Sequence, residues 1–474
     1  MTADQGGFTG LGGATSGEVR ADRAPRLILL IRRFRPLVGG MERQAERLAM
    51  GLAAGGAKVE VWTRLIAPGS PRSERLGNLT IHRLRPGGLG RMGEYGSLPF
   101  WYARLRWSRR RPALLAVFGS GWLALMAGLA ARASGQPWLF RPATAGDLTR
   151  FLDPSAVPAA GPVRRWLRGN LPPAAWRADR LREADAVVAI SEEIAAECLA
   201  WGFNPTSVHR IPNGVDCERF APASAERVRE LRSELSLPLE PPIALYLGRL
   251  VARKGLIELV EAWLDLYPPD ADSQGPLLIL AGSGEGQADS VGPQLRRLVQ
   301  GRQDIRMVGE VAAPEAWLSA ADLFCLPSHR EGLSNALLEA MAAGRAILAS
   351  DIPANRELLG GVGKGRPAGV EPDHESKSES SAGSEATTTE SSAPLALLHP
   401  PGDRIAIAAG LSRLLSDAAL RRRLGTAARS AVLARYDHRA VLERWLALLQ
   451  TLTAESLARQ SSAQPTADPI EPPA

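Results

Sequence analysis

Residues 113–131 read ALLAVFGSGWLALMAGLAA, an uncharged stretch long enough to cross a bilayer, with RRRP before it and Arg132 after it. Read as one helix, it is a membrane span. Read as two elements, it is part of a parallel sheet. Gly119, Ser120 and Gly121 favour the second reading, because they break the run in its first half. The six residues before them suit a buried strand, and those after them suit a helix that stops near Ser134-Gly135. PWLFRP at 137–142 then reads as the next strand, and strand, turn, helix, strand is the βαβ unit of a parallel sheet.

The same rhythm extends both ways. Upstream, RLILLI (26–31) is a strand, Gly39-Gly40 ends the loop after it, MERQAERLAMGLAAGG is an amphipathic helix and KVEVWT a second strand. Downstream come ADAVVAIS (184–191) and SVHRIPNGVD (207–216), then a charged and Pro-rich stretch, 221–242, read as a linker. The pattern restarts with IALYLGRL (243–250), a helix, PLLILAGSG, DIRMVGEV, a helix, DLFCLPS, EGLSNALLEAMAAG (331–344) and RAILASD (345–351). This is an α/β chain with two Rossmann-like, doubly wound domains facing a cleft, the ligand lying at the carboxyl ends of the strands. The expected boundaries are 25–220 and 243–434, with a disordered lead at 1–24. An insertion at 361–393, whose stretch HESKSESSAGSEATTTESS lacks large apolar residues, is expected to be disordered, and 459–474 is a disordered tail. One helical segment is expected from Arg404 to about Ala458.

The length, 474 residues, suits two domains. Three scattered cysteines and six histidines without HxxxH or HExxH spacing argue against a disulfide framework or a metal centre, and for a reducing compartment. With no signal peptide apparent, the expectation is a cytoplasmic protein. The net charge of +7 comes from arginine, clustered in RRFR (32–35) and RWSRRR (106–111). Solvated surface explains each run. A surface meeting anionic lipid at the cytoplasmic face, or a phosphate-bearing substrate, is the sharper reading, and Trp101, Tyr102 and Trp107 beside the second run fit a membrane-facing helix. No nucleic-acid module accompanies the charge.

Among the motifs, Gly39-Gly40 lies between strand and helix, where backbone amides meet an anion, although any tight turn wants glycines. No GxGxxG follows the first strand, RLILLI, and KVEVWT lacks a terminal acid, so a nicotinamide dehydrogenase fits poorly. AGSGEG (281–286) alone reads as a turn. In GRLVARKG (248–255), Arg249 and Lys254 leave a buried strand at the cleft edge and could clamp a diphosphate; a solvated basic loop is the bland alternative. In EGLSNALLEAMAAG, Ser334 is an N-cap and Gly344 a stop. Asn335 and Glu339 share a face, Leu337, Leu338 and Met341 point inward, and Glu331 precedes the helix. First-turn amides can meet an anion while the carboxylates accept from sugar hydroxyls; a surface residue on an amphipathic helix is the plainer account of Glu339. The DxD at Asp270 and Asp272 reads as a hydrophilic loop.

From about 207 to 351, IPNGVD, GRLVARKG, AGSGE, VGEV, ADLFCLPS and EGLSNALLEAMAAG follow an order that resembles the retaining family-four glycosyltransferases. The resemblance implies the GT-B fold, with a last helix (435–458) returning to the first domain. It implies transfer of a sugar from a nucleoside-diphosphate donor to a hydroxyl acceptor (a glycan, lipid-linked sugar or small molecule), without metal or other cofactor. It also assigns roles: Glu331 and Glu339 as the E-x7-E pair, Glu331 on the transferred sugar and Glu339 on ribose, and Arg249 and Lys254 on the diphosphate. Gly332, Leu333, Ser334 and Asn335 form the phosphate cradle, Val311 lies near the base, and Gly39-Gly40 is the amino-terminal glycine loop. Many relatives carry a histidine where this chain reads AVFGSGW; Asp147 and Arg141 are the candidates to replace it. A nucleotide-sugar epimerase or hydrolase of the same fold, or a nucleotide-sugar-binding protein with weak turnover, are the alternatives.

Overall fold

The structure is a computed structural model describing residues 26–36, 39–66, 69–85, 98–107, 113–153, 172–268, 275–287, 289–360 and 394–462. The stretches 1–24 and 361–393, the DxD loop and Arg109–Arg111 lie outside the described residues.

The deciding stretch divides at its glycines. Ala113–Phe118 is a strand, the turn places Gly119 and Gly121 at φ +122° and +79°, and Trp122–Ser134 is a helix. Gly135 ends that helix in the left-handed conformation at φ +63°. Among the described residues, no helix is long and apolar enough to cross a membrane.

Eight strands form the first sheet: β1 (Arg26–Ile31), β2 (Lys58–Arg64), β3 (Ser73–Leu76), β4 (Leu79–Leu84), β5 (Ala113–Phe118), β6 (Trp138–Arg141), β7 (Ala186–Ala189) and β8 (Val208–Arg210). Their spatial order is β3-β4-β2-β1-β5-β6-β7-β8, parallel except for the β3–β4 hairpin. Six form the second: β9 (Ile243–Leu247), β10 (Leu277–Ala281), β11 (Ile305–Gly309), β12 (Leu323–Leu326), β13 (Ala346–Ser350) and β14 (Leu397–His399), ordered β11-β10-β9-β12-β13-β14. Strands covered on both faces read as continuous apolar runs. β9, β10, β12 and β13 are buried at every position. On the first sheet a helix packs through a small residue where contact is tight: a Cβ on Gly128 would lie 2.6 Å from the Trp138 ring.

The last helix, His438–Ser462, packs on the first sheet. Val441, Trp445, Leu448 and Leu452 repeat at helical spacing into the core around Leu29 and Ile31, and Trp445 stacks on Phe118 with ring centroids 6.0 Å apart.

Three expectations need correction. The stretch 221–242 is not simple linker: Ala225–Glu234 is a helix capped by Ser224, and its buried Arg232 donates to the Ala320 carbonyl at 2.9 Å and to Asp322 at 2.7 Å. Its charge therefore serves packing on the second domain. The run from Arg404 divides into Arg404–Ser416, Ala418–Tyr436 and His438–Ser462, because Asp417 and Asp437 leave helical geometry and Asp417 caps the next helix. SVHRIPNGVD runs as strand to Arg210 and then turns, in keeping with its IPNG stretch, and the Val215 amide donates to the Tyr436 carbonyl at 2.9 Å. Trp101, expected on a lipid-facing surface, is buried in the core of the first domain.

Candidate functional site

In each sheet the strand order reverses at one point, and there the carboxyl ends leave a crevice. In the second sheet it lies between β9 and β12. The loop after β9 carries Arg249 and Lys254, and the loop after β12 carries Ser328 and Glu331. In the first sheet it lies between β1 and β5, whose following loops carry Gly39-Gly40 and Gly119–Gly121.

Two glycines let the loops of the second sheet interlock. Gly255 ends the single turn Ala252–Lys254 at φ +65°, and a Cβ there would lie 2.0 Å from the Pro327 carbonyl oxygen. That approach brings Lys254 Nζ onto Glu331 Oε1. Gly282 sits so close to Gly248 that a Cβ would lie 1.8 Å from its carbonyl oxygen. AGSGEG is thus the support of the basic loop, with the Leu250 amide donating to the Ser283 carbonyl at 3.1 Å.

Glu331 is buried and also accepts from Ser328 Oγ at 2.7 Å, with Arg253 at 3.8 Å. Burial would raise its carboxyl, but Lys254, Ser328 and Arg253 outweigh burial and hold it below the usual carboxylate range. Burial also lowers Lys254. Arg249 is exposed, its own carbonyl accepting from the Tyr246 hydroxyl at 2.8 Å.

Beyond Glu331 the chain enters the helix Asn335–Ala342, with Ser334 Oγ capping the Leu337 amide at 3.3 Å. Leu337, Leu338 and Met341 are buried in the domain core. Asn335 and Glu339 face the first domain instead. Asn335 Nδ2 donates to the Gly40 carbonyl at 2.9 Å, and its Oδ1 accepts from Gln44 at 3.1 Å and Asn213 at 2.8 Å. Asn213 also donates to the Leu333 carbonyl at 3.1 Å. The domains are shut so closely that a Cβ on Gly332 would lie 2.5 Å from the Ala143 carbonyl oxygen.

Glu339 corrects its reading as a surface residue: it is 1% exposed, with Arg47 at 3.6 Å and Arg43 at 4.0 Å, and its Oε1 has no hydrogen bond. Burial raises its carboxyl despite both arginines. A carboxyl raised in the folded state binds protons there first, so stability falls as pH rises through that raised value and the penalty is complete above it. Glu339→Gln should therefore melt above wild type at pH 7, the gap closing as pH falls toward the ordinary carboxylate range. Calorimetric melts across that range check this; a variant that melts lower at pH 7 overturns it.

Other site residues are placed less closely. Val311 lies half-buried beyond β11, against the apolar core. Asp147 accepts from the Thr144 amide of its own loop at 3.0 Å and pairs with Arg150 at 2.6 Å. The sequence reading did not single out Asn213, Gln44, Arg43, Arg47 and Ser328. Asn213 had a signal, since IPNGVD is a polar turn directly after a strand. The others sit in helix and loop positions that look like ordinary surface. Among the described residues, no group of three or more His, Cys, Asp or Glu could hold a metal ion.

Residues 38–219 match the family model described as Glycosyltransferase Family 4, and residues 241–377 match Glycosyl transferases group 1. The alpha-maltose-1-phosphate synthase of Mycolicibacterium smegmatis is 30% identical over 210 residues, covering 42% of this chain and 53% of that protein. D-inositol 3-phosphate glycosyltransferase 1 of Catenulispora acidiphila is 28% identical over 328 residues, covering 66% of this chain and 75% of its own. The chain thus spans about half the length of the synthase and more of the inositol phosphate enzyme. The fold matches sucrose-phosphate synthase from Thermosynechococcus elongatus at TM-score 0.69, 23% identity and 91% and 100% coverage. It also matches Anabaena Alr3699/HepE, solved with UDP-glucose, at TM-score 0.64, 16% identity and 90% and 99% coverage. The fold is GT-B, and the chain belongs to the family 4, group 1 glycosyltransferases.

Proposed function

We propose that this chain moves a sugar from a nucleoside-diphosphate sugar to a hydroxyl acceptor, with retention at the anomeric carbon and without a metal. The observation that carries the reading is the pair of half-buried Lys254 with buried Glu331 at the mouth of a capped helix, in the crevice between β9 and β12. Breaking the bond from the anomeric carbon to the phosphate oxygen gathers negative charge on the diphosphate and positive charge on the sugar. Lys254, Arg249 and the peptide N–H groups from Gly332 to Asn335 stabilise the first. Glu331, held ionised by Lys254, faces the second and orients the sugar. The acceptor oxygen takes the anomeric carbon and its proton leaves with the departing diphosphate. Glu339 exchanges its arginine partners for the ribose hydroxyls, Val311 lies near the base and the Gly39-Gly40 amides face the donor from the first domain. UDP-glucose bound in HepE supports a donor of this class. The arginines of the helix Leu98–Trp107, beside a 61% exposed Phe100, suit peripheral contact with an anionic membrane on the cytoplasmic face.

The test has two steps. Thermal shifts with UDP-, GDP- and ADP-sugars identify the donor, and transfer is then measured with and without EDTA. The expected result is one base clearly preferred and a rate unchanged by the chelator. Loss of transfer in EDTA that magnesium restores refutes the metal-free site, and donor cleavage that never labels an acceptor refutes transfer.

A further inference from the structure

Arg141, at the carboxyl end of β6, is 3% exposed and makes no ion pair among the described residues. Its guanidinium lies over the Phe118 ring at 5.0 Å and donates to Asn213 Oδ1. Burial pushes it down to about 9, so it remains charged at neutral pH. A buried cation without a counter-ion is expensive, and an apolar side chain would fill the same space at lower cost. What the cation holds must therefore account for it.

The donor and acceptor directions supply that account. Arginine only donates, so the oxygen of the Asn213 amide has to face it. The Asn213 amide nitrogen is then forced toward its two other neighbours, and both are acceptors: the Leu333 carbonyl at 3.1 Å and Asn335 Oδ1 at 2.8 Å. Asn335 Oδ1 also accepts from Gln44, so the Asn335 nitrogen is left to donate to the Gly40 carbonyl. A flipped Asn213 would set oxygen against oxygen at both contacts. One donor-only side chain in the first domain thus fixes the direction of a hydrogen-bond chain that ends on the cradle loop of the second.

We propose that Arg141 is a positioning residue which, through Asn213, orders the Leu333–Asn335 peptides for the leaving diphosphate when the two domains shut. This rests on the transferase reading above. Arg177 provides the contrast. It too is buried, lies over a phenylalanine ring (Phe151, at 5.0 Å) and donates to a carbonyl of its own domain, and among the described residues it makes no hydrogen bond to the cradle.

The experiment compares Arg141→Met, Asn213→Asp, their double variant and Arg177→Met. Asn213→Asp gives Arg141 a carboxylate but cannot donate to Leu333, so it keeps the fold and cuts the relay. Using the nucleotide sugar selected by the thermal-shift panel, kcat should fall about 10- to 100-fold in Arg141→Met and in Asn213→Asp, with the donor KM changed far less. The double variant should be no worse than either alone, because residues of one network do not add. In the absence of donor, hydrogen exchange of amides 333–337 should quicken in both and stay at wild-type rate in Arg177→Met. The proposal is overturned if Asn213→Asp keeps wild-type kcat, if the two losses multiply, or if Arg177→Met quickens the same amides. If wild type binds no nucleotide sugar, the transferase reading falls and the relay with it; if wild type transfers sugar and Asn213→Asp does so equally, the relay alone falls.

Discussion

Lys254→Met should lower sugar transfer by about 10²- to 10³-fold, the range seen when one preorganised donor to a developing anion is removed. Methionine keeps the length of the stem and removes the charge, so the change is electrostatic. Two effects need separating, because Lys254 also neutralises Glu331. Breaking a buried ion pair from one side leaves an uncompensated charge, at about 3–5 kcal/mol. Here the loss is cushioned by Ser328 at 2.7 Å and Arg253 at 3.8 Å, which remain on the carboxylate. Adding Glu331→Gln to Lys254→Met removes the stranded charge and should restore the melting temperature but not transfer. The pH dependence carries the same signature. A carboxyl held below its ordinary value stabilises the fold above the usual carboxylate range and loses that contribution as pH falls through its depressed value. The acid-side loss of stability should shrink in Lys254→Met. Transfer at wild-type rate in a folded Lys254→Met protein refutes the role given to this cation.

Much of this site was legible because its chemistry is local in the chain. Lys254 follows a buried strand, and Ser334 precedes an apolar helix, so their places at the crevice come from the strand ends alone. Likewise Gly119 and Gly121 announced that 113–131 was two elements. Glu339 was legible only in part. Helical spacing put it on the face of Asn335, but what that face meets depends on how two domains close, and no period in the sequence encodes a contact between Glu339 and Arg47. The helix at Ala225–Glu234 was missed for a related reason. Its charged composition reads as solvent-exposed linker, whereas Arg232 is spent on the Ala320 carbonyl and Asp322 of the second domain. Asn213 and Arg141 are further apart in sequence than any motif spans, and their pairing is a property of the sheet order β6-β7-β8 and the loop that leaves it.

Gly332→Ala should lower kcat by about 10²-fold while leaving each domain folded. The backbone of Gly332 is not in the left-handed region, so alanine meets no conformational penalty of its own, and the obstruction is steric. Its Cβ would lie 2.5 Å from the Ala143 carbonyl oxygen and 3.1 Å from Thr144 Cα, both backbone atoms of the opposite domain. No side-chain rotation relieves that contact; the domains must part. Gly40 offers the matched control. A Cβ there meets Asn335 Nδ2 at 2.9 Å, the end of a side chain that can swing aside, so Gly40→Ala should be the milder of the two. Parting the domains removes Gly40 and Asn213 from Asn335, which leaves donor groups of the second domain intact but undoes their alignment for the leaving diphosphate. The donor should therefore still bind to Gly332→Ala, with a Kd within a few-fold of wild type, and turnover should bear the loss. Small-angle scattering should show a larger radius of gyration than wild type, in the free protein and with saturating nucleotide sugar alike. Wild-type turnover together with a wild-type radius would mean that the Ala143–Gly332 approach has no part in catalysis.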